Sequence, residues 1–254
     1  MMRMQRSATA LAPAASALAG RVVLVTGACG GLGAEVSRCC ARAAATVVLL
    51  GRRVPALERL YDELVALGAP TPAIYPLDLA GATAEHYAEL RDAILRECGR
   101  LDGIVHAAAR FDGLAPLDCT PPAEWLATLT VDLAAPAQLT QACLPLLQRQ
   151  SDAALVFVFD DPDRVQRAYW GAYAVAKGGL MSFATVLADE LENSSVRVHG
   201  LLPPPLRTRL RAKAYVGDKP EDCEAPLRTA EACVFLLSAA AANWRGITLD
   251  LRPI

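Results

Sequence analysis

Tyr173 and Lys177 stand four residues apart in the run AYAVAKGGL, and far upstream a hydrophobic strand runs straight into the glycine-rich turn TGACGGLG from Thr26 to Gly33. A phenol with a cation one helical turn away, joined to a backbone able to hold a pyrophosphate, points to nicotinamide-dependent oxidation and reduction. Thirteen residues before the tyrosine stands Asp160, whose carboxylate can only accept hydrogen bonds when ionised. That carboxylate bears directly on what the tyrosine can do.

The glycine-rich turn follows a strand and opens a helix, so backbone N–H groups and the helix dipole can face a pyrophosphate. Gly27, Gly31 and Gly33 permit its close approach. Thr26 and Leu32 belong to the same candidate binding turn. The end of the second strand distinguishes the two nicotinamide cofactors: a carboxylate would accept from the ribose hydroxyl, whereas a cation would pair with a 2′-phosphate. The sequence there is Leu50, Gly51, Arg52, Arg53, so NADP(H) is expected in preference to NAD(H). Asp78 can accept from the adenine amino group or cap a helix, and Leu79 beside it joins the candidate cofactor residues.

These residues need a scaffold. Short β-branched or apolar runs alternate with longer helical patterns, the signature of a parallel sheet covered by helices on both faces. Strands are expected at 21–25, 46–50, 73–77, 102–106, 154–159, 196–201 and 246–251. Helices are expected at about 31–44, 55–67, 84–97, 124–148, 171–192 and 230–239, with an adjustment in the fourth at Pro136 and Pro145. The fold class is therefore α/β: a single-domain Rossmann fold over residues 20–254, a doubly wound parallel sheet of about seven strands, preceded by a flexible lead-in over residues 1–19.

Composition narrows the partners. The 254 residues, 54% hydrophobic and 20% charged, can bury one substantial core with no linker to divide it. With 25 basic and 27 acidic residues the formal charge is −2, which gives neither the field of a nucleic-acid binder nor a polybasic membrane anchor. No apolar run reaches the ~18 residues of a membrane helix. Residues 1–19 carry Arg3 and Arg6 and no acid, yet lack the cationic amphipathic repeat of an organellar targeting peptide. The expectation is a soluble, cytoplasmic protein with a small-molecule partner and neither nucleic acid nor membrane. The eight cysteines contain no C-x-x-C pair and lie mostly in apolar segments, as reduced buried thiols do. His86, His106 and His199 show no metal-ligand spacing, so no metal is expected.

From about residue 20 onward the chain resembles the short-chain dehydrogenase/reductase family. The resemblance rests on TGxxxGxG at Thr26–Gly33 and YxxxK at Tyr173–Lys177, in order and at the family's usual separation, supported by LDGIVHAAA, LTQACLPLL and WGAYAVAK. It implies hydride transfer between NADP(H) and a carbonyl or alcohol. Tyr173 would protonate the carbonyl oxygen, and Lys177 would lower the phenol pKa and hold the nicotinamide ribose. It also implies a homodimer or homotetramer paired through the fourth and fifth helices, although Leu133, Leu139 and Leu144 on one and Phe183, Leu187 and Leu191 on the other could equally face the sheet.

Four places around the nicotinamide depart from the family pattern. Asp160 stands where the family has a serine that donates to the substrate oxygen. Ionised, it would repel the developing alkoxide and raise the pKa of Tyr173; protonated, it would be an oxyanion donor, a form that Asp161 and Asp163 favour if they crowd the loop, although these two can equally face solvent. Asp132 replaces the asparagine of a water relay, so it can accept from that water and pair with Lys177 but lacks the amide donor. The stretch from His106 to Ala109 replaces NNAG. Ala107 keeps a place against the cofactor, and His106 is read as a structural hydrogen bonder. Pro203 matches the first residue of a Pro-Gly pair, but Pro204 takes the glycine's place, fixing φ and removing an N–H.

Thr208 falls where the family contacts the nicotinamide carboxamide. Tyr169 and Trp170 suit a pocket wall or core packing, and the cations of 207–219 suit an anionic substrate or a solvated face. Two readings stand: an NADP-dependent oxidoreductase with altered activity, and a catalytically silent NADP-binding protein with a sensing, regulatory or scaffold role.

Overall fold

The structure, a computed structural model, describes residues 2–6, 11 and 13–253. Eight strands form one parallel sheet: β1 (Arg3–Arg6), β2 (Val22–Thr26), β3 (Thr46–Gly51), β4 (Ala73–Pro76), β5 (Gly103–His106), β6 (Ala153–Val158), β7 (Val196–Leu202) and β8 (Ile247–Asp250). Their spatial order is β1-β8-β7-β6-β5-β2-β3-β4. The alternation of strand side chains explains why the sheet needs cover on both sides. In β2, Val23 and Val25 enter one apolar cluster while Val22 and Leu24 enter the other.

The helices supply that cover. On one face lie α1 (Gly31–Arg42) and α2 (Val54–Ala66), whose Leu57, Leu60 and Leu64 recur at helical spacing and are all buried. On the other lies α3 (Ala84–Cys98), closed at its start by a Thr83–His86 capping box and at its end by Gly99 at φ 72°. Next come α4 (Pro122–Leu129), a π turn at Thr130–Ala134, and α5 (Ala135–Leu147). After β6 the chain makes a single turn, α6 (Pro162–Val165), and then the long α7 (Gly171–Glu190). α5 and α7 join α3 on the second face through Leu139, Leu146, Leu180 and Leu187. A short α8 (Arg209–Ala214) follows β7, and α9 (Leu227–Leu237) returns to the face of α1.

Three features differ from the sequence reading. The sheet has eight strands because Arg3–Arg6 pairs in register with Ile247–Asp250, inside the segment expected as a lead-in; residues 1, 7–10 and 12 of that segment lie outside the described residues. In the helical region over 124–148, where an adjustment is expected at Pro136 and Pro145, the departure is a π turn at Thr130–Ala134, ahead of Pro136, where the Ala135 amide bonds to the Thr130 carbonyl five residues back. Pro136 explains the position, because it has no N–H to return to the carbonyl of residue 132, and the wider turn accommodates that loss ahead of the proline. Finally, α7 has 20 residues and a mean hydropathy of 1.2, long and apolar enough to cross a membrane by composition, yet it packs its apolar side onto the sheet and carries buried Lys177.

Candidate active site

From β2 the sheet continues to β3 on one side and to β5 on the other. An open doubly wound sheet binds its ligand at such a reversal, beyond the C-terminal strand ends. Here a cleft of about 1200 Å³ runs from Arg52 and Arg53, just after β3, to Tyr173 and Lys177 on α7.

The near wall is backbone by necessity. Gly27 has φ 65°, and a Cβ there would lie 2.7 Å from Ala108 Cα; a Cβ on Gly33 would lie 2.8 Å from the Gly27 carbonyl carbon. Only glycine closes this turn. Thr26 ties it to the loop after β5, its Oγ1 accepting from the Ala107 and Ala108 amides at 3.2 and 3.1 Å. The 12-residue α1 begins at Gly31 with no side-chain cap and no acid in its first turn, and Gly31, Leu32 and Gly33 line the cleft. Uncapped amides at the positive end of a helix suit a pyrophosphate.

Around that turn the other expected cofactor residues assemble. Arg52 and Arg53 are exposed and have no carboxylate partner among the described residues. Asp78 and Leu79 line the outer end; Asp78 accepts from the Ala80 amide at 3.1 Å, and Thr83 rather than Asp78 caps α3. Pro203, buried Pro204 and Thr208 line the opposite wall. Thr208 caps α8 by accepting from the Arg211 amide, and its methyl would lie 3.1 Å from a Cβ on Gly31.

At the inner end the tyrosine is engaged. Tyr173, only 4% exposed, donates its hydroxyl to Asp160 Oδ2 at 2.8 Å. The other carboxylate oxygen accepts from the Asp161 amide at 2.7 Å and is salt-bridged to Arg164 Nη2. Burial first, then the charges of Asp160 and Asp132, hold the Tyr173 hydroxyl well above the usual phenol range, with Arg164 opposing. Of the two arrangements open to Asp161 and Asp163, they do not crowd Asp160. Asp161 turns to Arg252 at 2.6 Å, Asp163 is exposed, and the immediate neighbour of Asp160 is a guanidinium.

Lys177 is equally buried, donating to the Val158 carbonyl at 3.1 Å with its ammonium 5.6 Å from the centre of the Tyr173 ring. Asp132 sits in the π turn and accepts from the Arg110 amide at 2.6 Å, while its Oδ2 is buried without a partner among the described residues. Burial pushes its carboxyl up to about 7, although Lys177 and Arg110 favour the charged form. Its coupling to Lys177 is therefore one of charge. His106 has a structural place: Nε2 lies 3.0 Å from Thr140 Oγ1, the ring stacks on Phe157, and burial lowers its pKa to about 3.

An aromatic lid completes the site. Phe111 meets Tyr173 edge-on at 5.3 Å, Trp170 lies 5.7 Å from the same ring, and Tyr215, beyond α8, reaches Trp170 at 6.1 Å. Trp170 thus serves both as cleft wall and as packing, whereas Tyr169 is exposed and strained at φ 76°. Sequence reasoning passes over Phe111, Arg164 and Tyr215. For Arg164 a signal exists, since it follows Asp160 by four residues, the spacing of a helical ion pair.

A glycine cradle at the switch point and a buried Tyr–Lys pair thus occupy opposite ends of one cleft. The family model described as short chain dehydrogenase matches residues 21–218. The chain belongs to the short-chain dehydrogenase family. Among its relatives is the uncharacterized oxidoreductase YciK of Escherichia coli K12, 34% identical over 233 residues and covering 92% of each chain. A short-chain dehydrogenase from Salmonella enterica serovar Typhi is 35% identical, with a TM-score of 0.90 over 95% of this chain and 99% of that one. A family structure from Escherichia coli CFT073, described as complexed with NADPH, is 33% identical and has a TM-score of 0.90 over 95% and 100%.

Proposed function

We propose that this short-chain dehydrogenase interconverts a carbonyl and an alcohol with NADP(H), through a proton-transfer site modified at Asp160. The observation that carries this reading is the cleft itself. One end is a backbone-only cradle with two arginines that have no carboxylate partner among the described residues, and the other buries a tyrosine beside a lysine.

Gly27, Gly31, Leu32 and Gly33 would hold the pyrophosphate, Arg52 and Arg53 the 2′-phosphate, Asp78 and Leu79 the adenine end, and Ala107, Pro203 and Thr208 the nicotinamide side. The bound cofactor supplies hydride to the substrate carbon. Tyr173 holds the proton that the substrate oxygen receives, and Lys177 keeps positive charge beneath the phenol where an oxyanion would form. Asp132, buried with one oxygen unpartnered among the described residues and coupled by charge to Lys177, would pass protons to and from the Tyr173–Lys177 pair.

Exposed Leu126, Val175 and Val186 on the adjoining α4 and α7 favour pairing through these helices, as a homodimer or larger homo-oligomer. Leu139, Leu187 and Leu191 are not part of that surface, since they face the sheet. Eight free thiols fit a reducing compartment such as the cytoplasm.

The test is calorimetric titration with NADPH and NADH, followed by turnover on a carbonyl panel. Micromolar NADPH binding that Arg52→Ala/Arg53→Ala weakens tenfold or more, with NADH little affected, supports the reading. Absent binding overturns it.

The bond from Tyr173 to Asp160 favours a second reading, a cofactor-binding protein without turnover. Asp160→Ser separates the two. Under the enzyme reading the native protein turns over some carbonyl and the serine variant reduces neutral ketones at least tenfold faster. Under the silent reading the native protein is inert on the whole panel.

A further inference from the structure

The catalytic half of the cleft is cationic although the chain as a whole is not. Arg110, Arg164, Arg207, Arg209, Arg211 and Lys213 line it, against Asp112 and Asp160. Several are already matched: Arg110 pairs with Asp112, Arg211 with Asp218, and Lys213 donates to the Phe111 carbonyl. Arg211 also keeps a buried Nη1 without a partner among the described residues, but Arg164 is the cation whose ion-pair partner is the carboxylate that holds the Tyr173 hydroxyl. It gives Nη2 to Asp160, while its Nε–H is buried with no partner among the described residues, a costly state for a guanidinium donor. Its side chain is 22% exposed and lines the cleft beneath the Tyr215 ring, 6.0 Å away.

In this arrangement a neutral ketone has no donor to meet. The phenol hydroxyl is donated to the Asp160 carboxylate, which is itself ion-paired with Arg164. A carbonyl oxygen is a weaker acceptor than a carboxylate and loses the competition. A substrate that brings its own carboxylate changes the balance, because it gives Arg164 another partner. With Arg164 shared between the two carboxylates, the carbonyl on the neighbouring carbon is tethered beside the Tyr173 hydroxyl and competes with Asp160 for that donor.

We propose that Arg164 selects the substrate: its guanidinium, one carboxylate away from the Tyr173 hydroxyl, binds the carboxylate of a small 2-oxo acid or 2-hydroxy acid while the neighbouring carbon reacts. The inference rests on the oxidoreductase reading and specifies its substrate class. In the reduction the carbonyl carbon gains hydride from the reduced nicotinamide and its oxygen gains the Tyr173 proton. The products are the 2-hydroxy acid and oxidised nicotinamide. The proton that Tyr173 gives up is replaced from solvent before the next turnover.

The probe is oxamate, an unreactive isostere of a 2-oxo acid, titrated calorimetrically into the full chain with NADPH present. The expected result is binding, weakened at least thirtyfold by Arg164→Met and restored to within fivefold by Arg164→Lys. Equal binding to the native protein and both variants, or no binding to the native protein, overturns the inference. Should Arg164→Met fold poorly, the Arg164→Lys and native proteins are compared on 2-oxobutyrate and butanone. Preference for the acid supports the inference and preference for the ketone overturns it. Oxamate binding without turnover of any carbonyl defeats the oxidoreductase reading alone, whereas turnover of ketones without oxamate binding defeats only the substrate class.

Discussion

Asp132 shows how a single substitution at a family position changes the physics of the site. Its carboxyl is pushed up to about 7 by burial, and the groups that face it are Lys177 and the Arg110 amide, which favour the charge, and Asp112, which opposes it. In the unfolded chain an aspartate titrates near ~3.9. The folded pKa is therefore the higher one, so the contribution to stability is present in full below about pH 4 and is lost as pH rises through about 7. By pH 8 that loss is on the order of 3–4 kcal/mol. Asp132→Asn keeps an acceptor for the Arg110 amide and removes the titration. Its stability relative to the native protein should rise by a comparable amount between pH 4 and pH 8 in urea unfolding; an equal difference at both pH values would mean that Asp132 is ionised without cost. This pKa is not legible in the sequence, because it depends on what surrounds the side chain, and the Arg164 bridge shows there only as a four-residue spacing from Asp160. Tyr173, Lys177 and the two aspartates are legible as residue types at fixed spacing, while their partners are not.

At the scale of elements, the glycine turn has the tightest geometric demand. A Cβ on Gly33 would meet the Gly27 carbonyl carbon at 2.8 Å, a collision of backbone with backbone that no side-chain rotation relieves. Gly33→Ala should shift the turn, weaken NADPH binding by about a hundredfold or more and lower the unfolding temperature. Gly81→Ala, whose Cβ would have open space, should change neither. Unaltered NADPH affinity in Gly33→Ala would remove this turn from the cofactor site. The turn is legible in the sequence because closely spaced glycines between an apolar strand and a helix mark a backbone that must approach something closely. The strands from β2 to β8 fall within about a residue of their expected ends for a related reason: buried parallel strands are short apolar runs bounded by turn residues. The π turn is not legible. Apolar residues before and after it keep helical spacing, and Pro136 marks a disturbance without fixing its register.

At the scale of the whole molecule, the sheet has two edges and only one end carries the cleft. β1 covers the free edge of β8, with Arg3, Met4, Gln5 and Arg6 opposite Ile247, Thr248, Leu249 and Asp250, and Met2 packs into the apolar cluster of the α7 face. Without that strand, β8 would present a row of unpaired backbone groups along a buried strand rich in β-branched residues. The cleft lies between β2 and β5, and β8, β7 and β6 all stand between β1 and β5 in the sheet order. Deleting residues 1–6 should therefore separate two properties. The unfolding temperature should fall and light scattering should show concentration-dependent association, while NADPH affinity stays within about twofold, because no group lining the cleft belongs to β1. If affinity fell with stability, the edge and the cleft would form one cooperative unit, and the N-terminal strand would have to be counted among the elements that position the site; if neither changed, the pairing of β1 with β8 would contribute nothing that the rest of the sheet does not already supply.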